Sequence, residues 1–234
     1  MNKVKSLLNY FTKGEIVLWS SSVLLITGSF YLFDKENYPT LIASIIGVTS
    51  LLFNAKGNPL GQLLMILFSI FYGFISLGFS YYGEMITYLG MTAPMAVLAL
   101  LSWLRHPYNG NRSEVRVNRL GGKEIVWMSL LAAGVTVLFF FILKAFNTAN
   151  LIPSTISVTT SFLAVYLTFR RSAFYALGYA ANDLVLIVLW VLAAIADAAY
   201  VSVAICFVTF FINDIYGFVS WRRMYVRQQE DGTA

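Results

Sequence analysis

Eight apolar runs, each close to the length of a membrane-spanning helix, dominate this 234-residue sequence. The hydrocarbon core of a bilayer is about 30 Å thick, so a spanning helix needs about 20 mostly apolar residues. Hydrophobic residues make up 59% of the chain and charged residues only 12%. The sequence therefore predicts an all-α membrane protein with eight transmembrane helices. The runs are Glu15–Phe33, Tyr38–Phe53, Pro59–Phe79, Glu84–Leu104, Glu124–Phe146, Leu151–Phe169, Ala173–Ala196 and Ala198–Val219.

The first run follows three lysines and so has the charge pattern of a secretory signal. It is longer than the apolar core of such signals, and the stretch TGSFYLFDKEN has no small-residue cleavage site. We therefore expect the first run to remain in the protein as a spanning helix.

The basic residues predict the orientation of these helices. Cytoplasmic loops of membrane proteins are enriched in Lys and Arg. With the amino terminus inside, fourteen of the sixteen Lys and Arg residues are cytoplasmic, and only Lys35 and Lys144 lie outside. An even number of spans returns the carboxyl terminus to the same side. The sequence thus predicts a multi-pass protein with both termini in the cytoplasm, the lipid bilayer as its surroundings and no nucleic-acid partner.

Cysteine and histidine are almost absent, which excludes several kinds of chemistry. Cys206 and His106 are the only residues of their types. A zinc site, a Ser-His-Asp triad or a Cys-His pair needs more of these side chains than the chain provides. The sequence therefore predicts no enzyme activity, no metal site and no cofactor.

Two helix endings repeat. The segments APMAVLALLSWLR (Ala93–Arg105) and FINDIYGFVSWRR (Phe211–Arg223) both end in Ser-Trp, one further residue and Arg. Upstream, TSLL at 49–52 matches TSFL at 160–163. The repeat predicts two parallel three-helix bundles joined by a linker helix, a design known among transporters. Pro94, inside the fourth run, predicts a kink in that helix.

This repeat divides the chain into five segments. The two bundles occupy 38–106 and 150–225. The remaining segments are the amino-terminal tail with one extra helix (1–37), the cytoplasmic loop with the linker helix (107–149) and a cytoplasmic tail (226–234).

The dipeptide Asn-Asp occurs twice inside apolar runs, at Asn182-Asp183 and at Asn213-Asp214. An ionised side chain at the bilayer centre costs ~2.5–3.5 kcal/mol on insertion scales, so such residues face a cavity or a partner. Trp190 follows Asp183 by about two helical turns and therefore lies on the same face. Carboxylate, amide and indole groups on one face favour a small, polar, aromatic solute.

The predicted substrate-binding residues come from both bundles. Two other roles remain open from the residues alone. The Asn-Asp pairs also suit hydrogen bonds that join helices, and Trp103, close to Arg105, also suits the lipid–water interface. The full predicted set is Gln62, Ser69, Tyr72, Trp103, Asn182, Asp183, Trp190, Asn213, Asp214 and Tyr216.

Three segments together carry a resemblance to a known family. GVTSLLFNAKGNPLGQLLMILFSIFYGFIS, YYGEMITYLGMTAPMAVLALLSWLRHPYNGN and FINDIYGFVSWRRM resemble the PnuC-type nicotinamide riboside transporters of bacteria. The resemblance implies the SWEET-like arrangement of two three-helix bundles and a linker helix, with one additional amino-terminal helix. Gly217 and Trp221 match the Gly-x-x-x-Trp ending of this family. Ala99 stands in the place of the glycine before Trp103, and no Asn precedes it in that helix.

The resemblance also implies a function. It implies uptake of nicotinamide riboside across the bacterial inner membrane by facilitated diffusion and alternating access. Phosphorylation by a cytoplasmic nicotinamide riboside kinase would then trap the vitamin inside. Trp and Tyr would stack on the pyridinium ring, Asn and Gln would bind the carboxamide and hydroxyls, and Asp183 or Asp214 would balance the charge.

Several alternatives stay open. They are a carrier of another vitamin, such as thiamine, on the same fold, proton-coupled uptake through Asp183 or Asp214, and a membrane-embedded enzyme or receptor. An assembly of several copies is also compatible with the sequence.

Overall fold

The computed structural model describes residues 10–78, 82–148 and 150–231. Within them, eight helical stretches are long and apolar enough to cross a membrane, as the sequence predicts. The predicted end of the third run at Phe79, and the extreme ends of both tails, lie outside the described residues. The helices are α1 (Lys13–Phe33), α2 (Tyr38–Ala55), α3 (Pro59–Gly78), α4 (Tyr82–Thr87), α5 (Ala93–Arg105), α6 (Gly122–Ala145), α7 (Leu151–Phe169), α8 (Tyr175–Ala196) and α9 (Val201–Asp231).

The fourth span is irregular just before Pro94, where the sequence predicts a kink. α4 passes into a π-helical turn, Tyr88–Thr92, that leads directly into α5. In this turn the amide of Ala93 donates to the carbonyl of Tyr88, one residue further back than in an α-helix. Pro94 lies in the first turn of α5, where a residue without an amide hydrogen is tolerated.

The two predicted bundles, α2–α5 and α7–α9, begin with helices that end in the same way. Gly57 and Arg171 follow α2 and α7 with positive φ angles of 65° and 55°. Their amides donate to Asn54 O and Thr168 O, respectively. The two equivalent helices therefore end in the same kind of turn, as the repeat predicts.

Charge differs between the two ends of the helix bundle. The basic end carries Lys56 and the arginines that follow α5, α7 and the apolar part of α9. The acidic end carries Asp34, Glu36, Glu84 and Asp197. These two names are used below for the two ends.

The loop between the fourth and fifth spans contains a β-hairpin, which the sequence reading did not include. Its strands are β1 (Pro107–Tyr108) and β2 (Asn111–Val115). Asn109 and Gly110 have positive φ angles of 47° and 77°, which is typical of an Asn-Gly hairpin turn. Val115 N then donates to Gly57 O and Asn118 N to Arg171 O. The residues after the turn therefore strap the equivalent turns of both bundles together.

The last helix extends well beyond its predicted end at Val219. α9 continues to Asp231 because the hairpin supplies partners for its polar extension. Gln228 accepts a hydrogen bond from Val117 N at 2.8 Å and donates to Val115 O at 3.1 Å. Arg227 pairs with Glu114. Hydropathy marks only the part of a helix that lies in lipid, so it cannot locate this ending.

The extra helix α1 begins with a capping box and docks through polar contacts. Thr12 accepts from Glu15 N at 3.2 Å, and Glu15 accepts from Thr12 N at 2.7 Å. The same Glu15 pairs with Lys56 at 3.2 Å, and Trp19 donates to Thr49 at 3.1 Å. α1 is thus joined to α2 both at the basic end, through Glu15, and further along the helix, through Trp19.

Helices α7 and α8 approach most closely at Gly178. A Cβ atom there would lie 2.9 Å from the Cα atom of Ala164, which is closer than real Cβ contacts. We expect Gly178→Ala to push the two helices apart and lower stability by about 1–3 kcal/mol. The melting temperature of the purified protein in detergent measures this.

Gly134→Ala is the matched control for that substitution. Gly134 also lies inside a helix, but nothing lies within 4 Å of the added Cβ. The gain in helix propensity is common to both variants, so Gly134→Ala should melt at or above the wild-type temperature. Equal melting of the two variants would show that the close approach at Gly178 does not matter.

Candidate functional site

Asn182 is the centre of a polar cluster between α7 and α8. Its Oδ1 accepts hydrogen bonds from Ser157 at 3.3 Å, Thr160 at 2.9 Å and Ser161 at 3.0 Å. These hydroxyl groups lie on adjacent turns of one α7 face, within the segment SVTTS. Asn182 is 5% exposed, so its hydrogen bonds are formed inside the bundle.

The two predicted carboxyl groups meet next to this cluster. Asp183 on α8 and Asp214 on α9 are both buried and share a side-chain hydrogen bond. A hydrogen bond between two carboxyl groups requires a proton on one of them, since carboxylates only accept. Among the described residues Asp183 Oδ2 has no hydrogen-bond partner. This oxygen is buried and lines neither of the two cavities described below, so a solute would reach it only after the helices move.

A cavity of about 430 Å³ opens at the acidic end, between the first and second bundles. Its walls come from α4, the α6–α7 connection and the last turns of α8. Trp190 and Tyr200 form an aromatic wall, with ring centroids 5.5 Å apart. Ser157 also lines the cavity and donates to Asn182. Ser157 therefore connects the cavity with the buried Asn182 cluster, whereas Asp183 and Asp214 lie outside the cavity lining.

A smaller cavity of about 60 Å³ lies on the other side of the same two aromatic residues. It brings Tyr72 of the first bundle to Trp190 of the second, with Asp34 and Asp197 at its rim. The Tyr72 ring also contacts the ring of Tyr88, with centroids 4.6 Å apart. The structure therefore places two predicted aromatic residues at the boundary between the bundles.

The other two predicted residues of α3 lie deeper. Ser69 is fully buried, and its Oγ has no hydrogen-bond partner among the described residues. Gln62 lies close to the basic end and donates to Asn54 Oδ1 at 2.7 Å. Gln62 thus belongs to a hydrogen-bonded network at the end of α2.

Asn213 and Tyr216 are directed towards the extra helix α1. Asn213 donates to Ser22 Oγ and to Thr209 O, both at 2.9 Å. The Tyr216 hydroxyl donates to Glu15 at 2.9 Å. The structure therefore brings Asp214 to Asp183 but places its neighbours Asn213 and Tyr216 at a helix–helix contact, one of the roles left open by the sequence.

Trp103 lies apart from the cavity, at the basic end. Its indole nitrogen donates to Thr168 O at 2.9 Å, and Ser102 Oγ donates to Phe169 O at 3.0 Å. Ser102 and Trp103 belong to the first bundle, whereas α7 begins the second. The Ser-Trp ending of one bundle thus binds the last carbonyl groups of the other, which lack partners within their own helix.

The second Ser-Trp ending makes the reciprocal contacts. Trp221 donates to Asn54 O and Ser220 to Ala55 O, both at 2.7 Å. The Trp103 and Trp221 rings pack together with centroids 5.3 Å apart, and they are 1% and 0% exposed. We call these four residues the crosswise clamp: Ser102, Trp103, Ser220 and Trp221.

Charged groups differ between the two ends of the site. At the basic end, burial lowers the pKa of Arg171, and the guanidinium groups of Arg170 and Arg116 lower it further. At the acidic end, burial raises the pKa of Asp34; a hydrogen bond from Asn37 opposes this, and the carboxylates of Asp197 and Glu36 add to it. Carboxylates thus crowd one another where the cavities open.

Sequence reasoning missed several residues of this arrangement. Glu84 and Tyr200 line the cavity but stand at predicted helix ends, where polar and aromatic residues are ordinary. The hydroxyl groups around Asn182 had a signal in the segment SVTTS, because helix spacing puts them on one face. Asn54 and Thr168 bind the clamp through backbone carbonyls, which no side-chain pattern reveals.

Two parallel three-helix bundles around a polar centre, with a cavity between them at one end, define the architecture of a membrane transporter. The family model "Nicotinamide mononucleotide transporter" matches residues 37–223. The chain belongs to this family, and the predicted membership of the PnuC group is confirmed.

A curated relative and a solved structure agree with this assignment. The nicotinamide riboside transporter PnuC of Neisseria mucosa is 24% identical over 230 residues, which cover 95% of this chain and 86% of the relative. A crystal structure of the vitamin B3 transporter PnuC matches with a TM-score of 0.81 and 19% identity, covering 93% and 94% of the two chains. The match confirms the predicted fold.

The contact of Tyr216 with Glu15 predicts a role in stability. Tyr216→Phe removes one hydrogen bond to a charged group, so we expect a loss of about 1–3 kcal/mol and a lower melting temperature. The affinity for substrate should stay unchanged, because the hydroxyl faces α1. Tyr31→Phe, at an exposed tyrosine of α1, is the control. Unchanged melting together with weaker binding would return Tyr216 to the binding site.

Proposed function

We propose that this chain carries nicotinamide riboside across the bacterial inner membrane. The supporting observation is the cavity at the acidic end, which has an aromatic wall and reaches the Asn182 cluster through Ser157. Its volume of about 430 Å³ lies in the range of small-molecule sites. The curated relative is named for the same solute.

The chemistry of the solute suits these groups. A pyridinium ring is flat and positively charged, so it stacks favourably on an indole such as that of Trp190. Its carboxamide and ribose hydroxyls match the hydroxyl groups and amide of the α7–α8 cluster. The Asp183 carboxyl group would accept a hydrogen bond from a solute hydroxyl and balance the positive charge of the ring. Ser69 and Tyr72 would complete the site from the first bundle when the bundles move.

We further propose that transport uses alternating access and facilitated diffusion. Of the fourteen described Lys and Arg residues, twelve fall at the basic end, which the positive-inside rule places in the cytoplasm, with both termini. The cavity then opens to the outside, and the crosswise clamp closes the cytoplasmic side. Phosphorylation by a cytoplasmic kinase would retain the solute and drive net uptake.

The contact between Asp183 and Asp214 favours a second candidate, proton-coupled uptake. Two carboxyl groups that share a proton are able to release it when a cation binds. Uptake into vesicles without any kinase distinguishes the two mechanisms. If uptake is proton-coupled, an uncoupler abolishes the accumulation of solute in these vesicles. If transport is facilitated diffusion, the uncoupler leaves the rate at which the solute equilibrates unchanged.

Trp190→Ala tests the proposed substrate site. We expect the affinity for nicotinamide riboside to fall about tenfold, because a stacked cation loses its aromatic partner. Counterflow of labelled nicotinamide riboside in proteoliposomes, with binding calorimetry on the purified protein, measures the loss. Trp127→Ala is the matched control, since Trp127 lies on α6 and is 65% exposed on the lipid side.

The same assays decide the substrate. If the protein exchanges thiamine but not nicotinamide riboside, its substrate is another vitamin. Chemical change of the solute by the purified protein would favour an enzyme. Equal exchange by the parent and by Trp190→Ala would remove the cavity from the transport path.

The crosswise clamp should control access from the basic end. Ser220→Ala combined with Trp221→Phe removes two hydrogen bonds of about 1 kcal/mol each, so the state open at that end should gain about thirtyfold in population. Ala176 is fully buried beside Trp221. The substitution Ala176→Cys, made together with Cys206→Ser so that no other cysteine reacts, reports how often the basic end opens. The reaction with a maleimide should accelerate.

Ser129→Ala is the control for the clamp variant. Ser129 is exposed on α6 and bonds only within its own helix, so the maleimide reaction should keep its parental rate. A clamp variant that is folded and equally slow would show that these contacts do not close the basic end.

A further inference from the structure

Glu84 is the only acidic or basic residue among the described residues that line the large cavity. It lies on α4, at the acidic end, and is partly exposed there. No ion pair joins Glu84 to a cation in the described part of the chain. Lys144, on the last turn of α6, is exposed and does not line the cavity. When the Glu84 carboxyl group is ionised, no cation among the described residues of the cavity lining neutralises it.

The remaining walls of the mouth are aromatic or neutral and polar. Trp190 and Tyr200 supply the aromatic face. Asn147, Asn150 and Thr148 supply amide and hydroxyl groups from the α6–α7 connection. Thr148 Oγ1 is buried without a hydrogen-bond partner among the described residues. A solute with a flat ring and hydrogen-bonding groups is thus able to bind here. A negatively charged group on the solute would meet the Glu84 carboxylate and no cation of the cavity lining.

The wider surface at this end is negative in sum, since four acidic residues outnumber Lys35 and Lys144 among the described residues there. Asp34 and Asp197 line the neighbouring small cavity, and Glu36 lies on the same loop as Asp34. Clefts lined by one sign of charge concentrate solutes of the opposite sign and raise their association rates. The field at the mouth therefore favours cations before any contact is made.

We propose that Glu84 selects substrates by charge, admitting the cationic nucleoside and rejecting its phosphorylated form. This inference rests on the proposed function of the cavity. Nicotinamide riboside carries one positive charge on its ring. Nicotinamide mononucleotide adds a phosphate of about −1.5 to −2 charge at pH 7, which reverses the net charge. Glu84 attracts the first and repels the second, although the two share the ring and the ribose.

Glu84→Gln tests this selection, because it keeps the size of the side chain and removes its charge. The purified full-length protein in nanodiscs is titrated with nicotinamide riboside, with its uncharged reduced form and with nicotinamide mononucleotide. We expect affinity for the cation to fall about tenfold, as for one partly screened charge pair. Affinity for the reduced nucleoside should stay within about twofold, and that for the mononucleotide should rise.

Two further variants complete the test. Glu230→Gln makes the same chemical change at an exposed position of α9 at the basic end, outside the cavity, and should leave all three affinities at their parental values. Glu84→Asp keeps the charge and should preserve the preference for the cation. If Glu84→Gln fails to fold, the parent itself decides. Binding of the cation should weaken with added salt while binding of the reduced nucleoside should not.

The outcomes separate this proposal from the proposed function. A parent that binds none of the three solutes refutes the transport of nicotinamide riboside. A parent that binds the cation, loses affinity with Trp190→Ala and keeps its full selectivity with Glu84→Gln refutes the role of Glu84 alone. Equal loss of all three affinities in Glu84→Gln would make Glu84 a structural residue and also overturn the proposal.

Discussion

The backbone carbonyl groups at the ends of α2 and α7 impose the constraint on which the rest of the structure depends. The last carbonyls of a helix have no partner in their own helix, and an unsatisfied polar group next to hydrocarbon is costly. Each bundle here satisfies the carbonyls of the other, through Trp103 on Thr168 and Trp221 on Asn54. One sequence motif, repeated once, thus joins the two bundles at the end where Val115 and Asn118 also link them.

This reciprocity places the cavity at the other end. The clamp and the strap formed by Val115 and Asn118 hold the bundles together at the basic end. At the acidic end the bundles diverge around the large cavity, and Trp190 and Tyr200 form part of its wall. The structure thus has one end closed by backbone contacts and one end with a cavity. The polar groups of α8 lie between these two ends.

The sequence predicted the architecture because the cost of burying polar backbone in lipid leaves few solutions. Apolar runs, sorted lysines and arginines, and one repeated ending were enough to define eight spans and two parallel bundles. The hairpin around Asn109 and the extension of α9 to Asp231 escaped prediction. They depend on contacts between distant segments, such as Gln228 with Val117, and hydropathy carries no record of such contacts.

The site was harder to predict, because residue type does not determine what a side chain faces. Trp103 and Trp190 were both predicted to bind substrate. The Trp103 indole donates to a backbone carbonyl, whereas the Trp190 indole lines a cavity. Asn213 and Asp214 are neighbours, and the helix turn of about 100° between them directs one to Ser22 and the other to Asp183.

The two bundles repeat in their clamp but not in their polar side chains, since Asn182 and Asp183 come from one bundle only. A solute held by such unequal bundles is oriented as well as bound, with its charged ring directed to one set of groups. The repeat therefore accounts for the contacts that join the bundles, and the departures from it account for the polar groups of the candidate site.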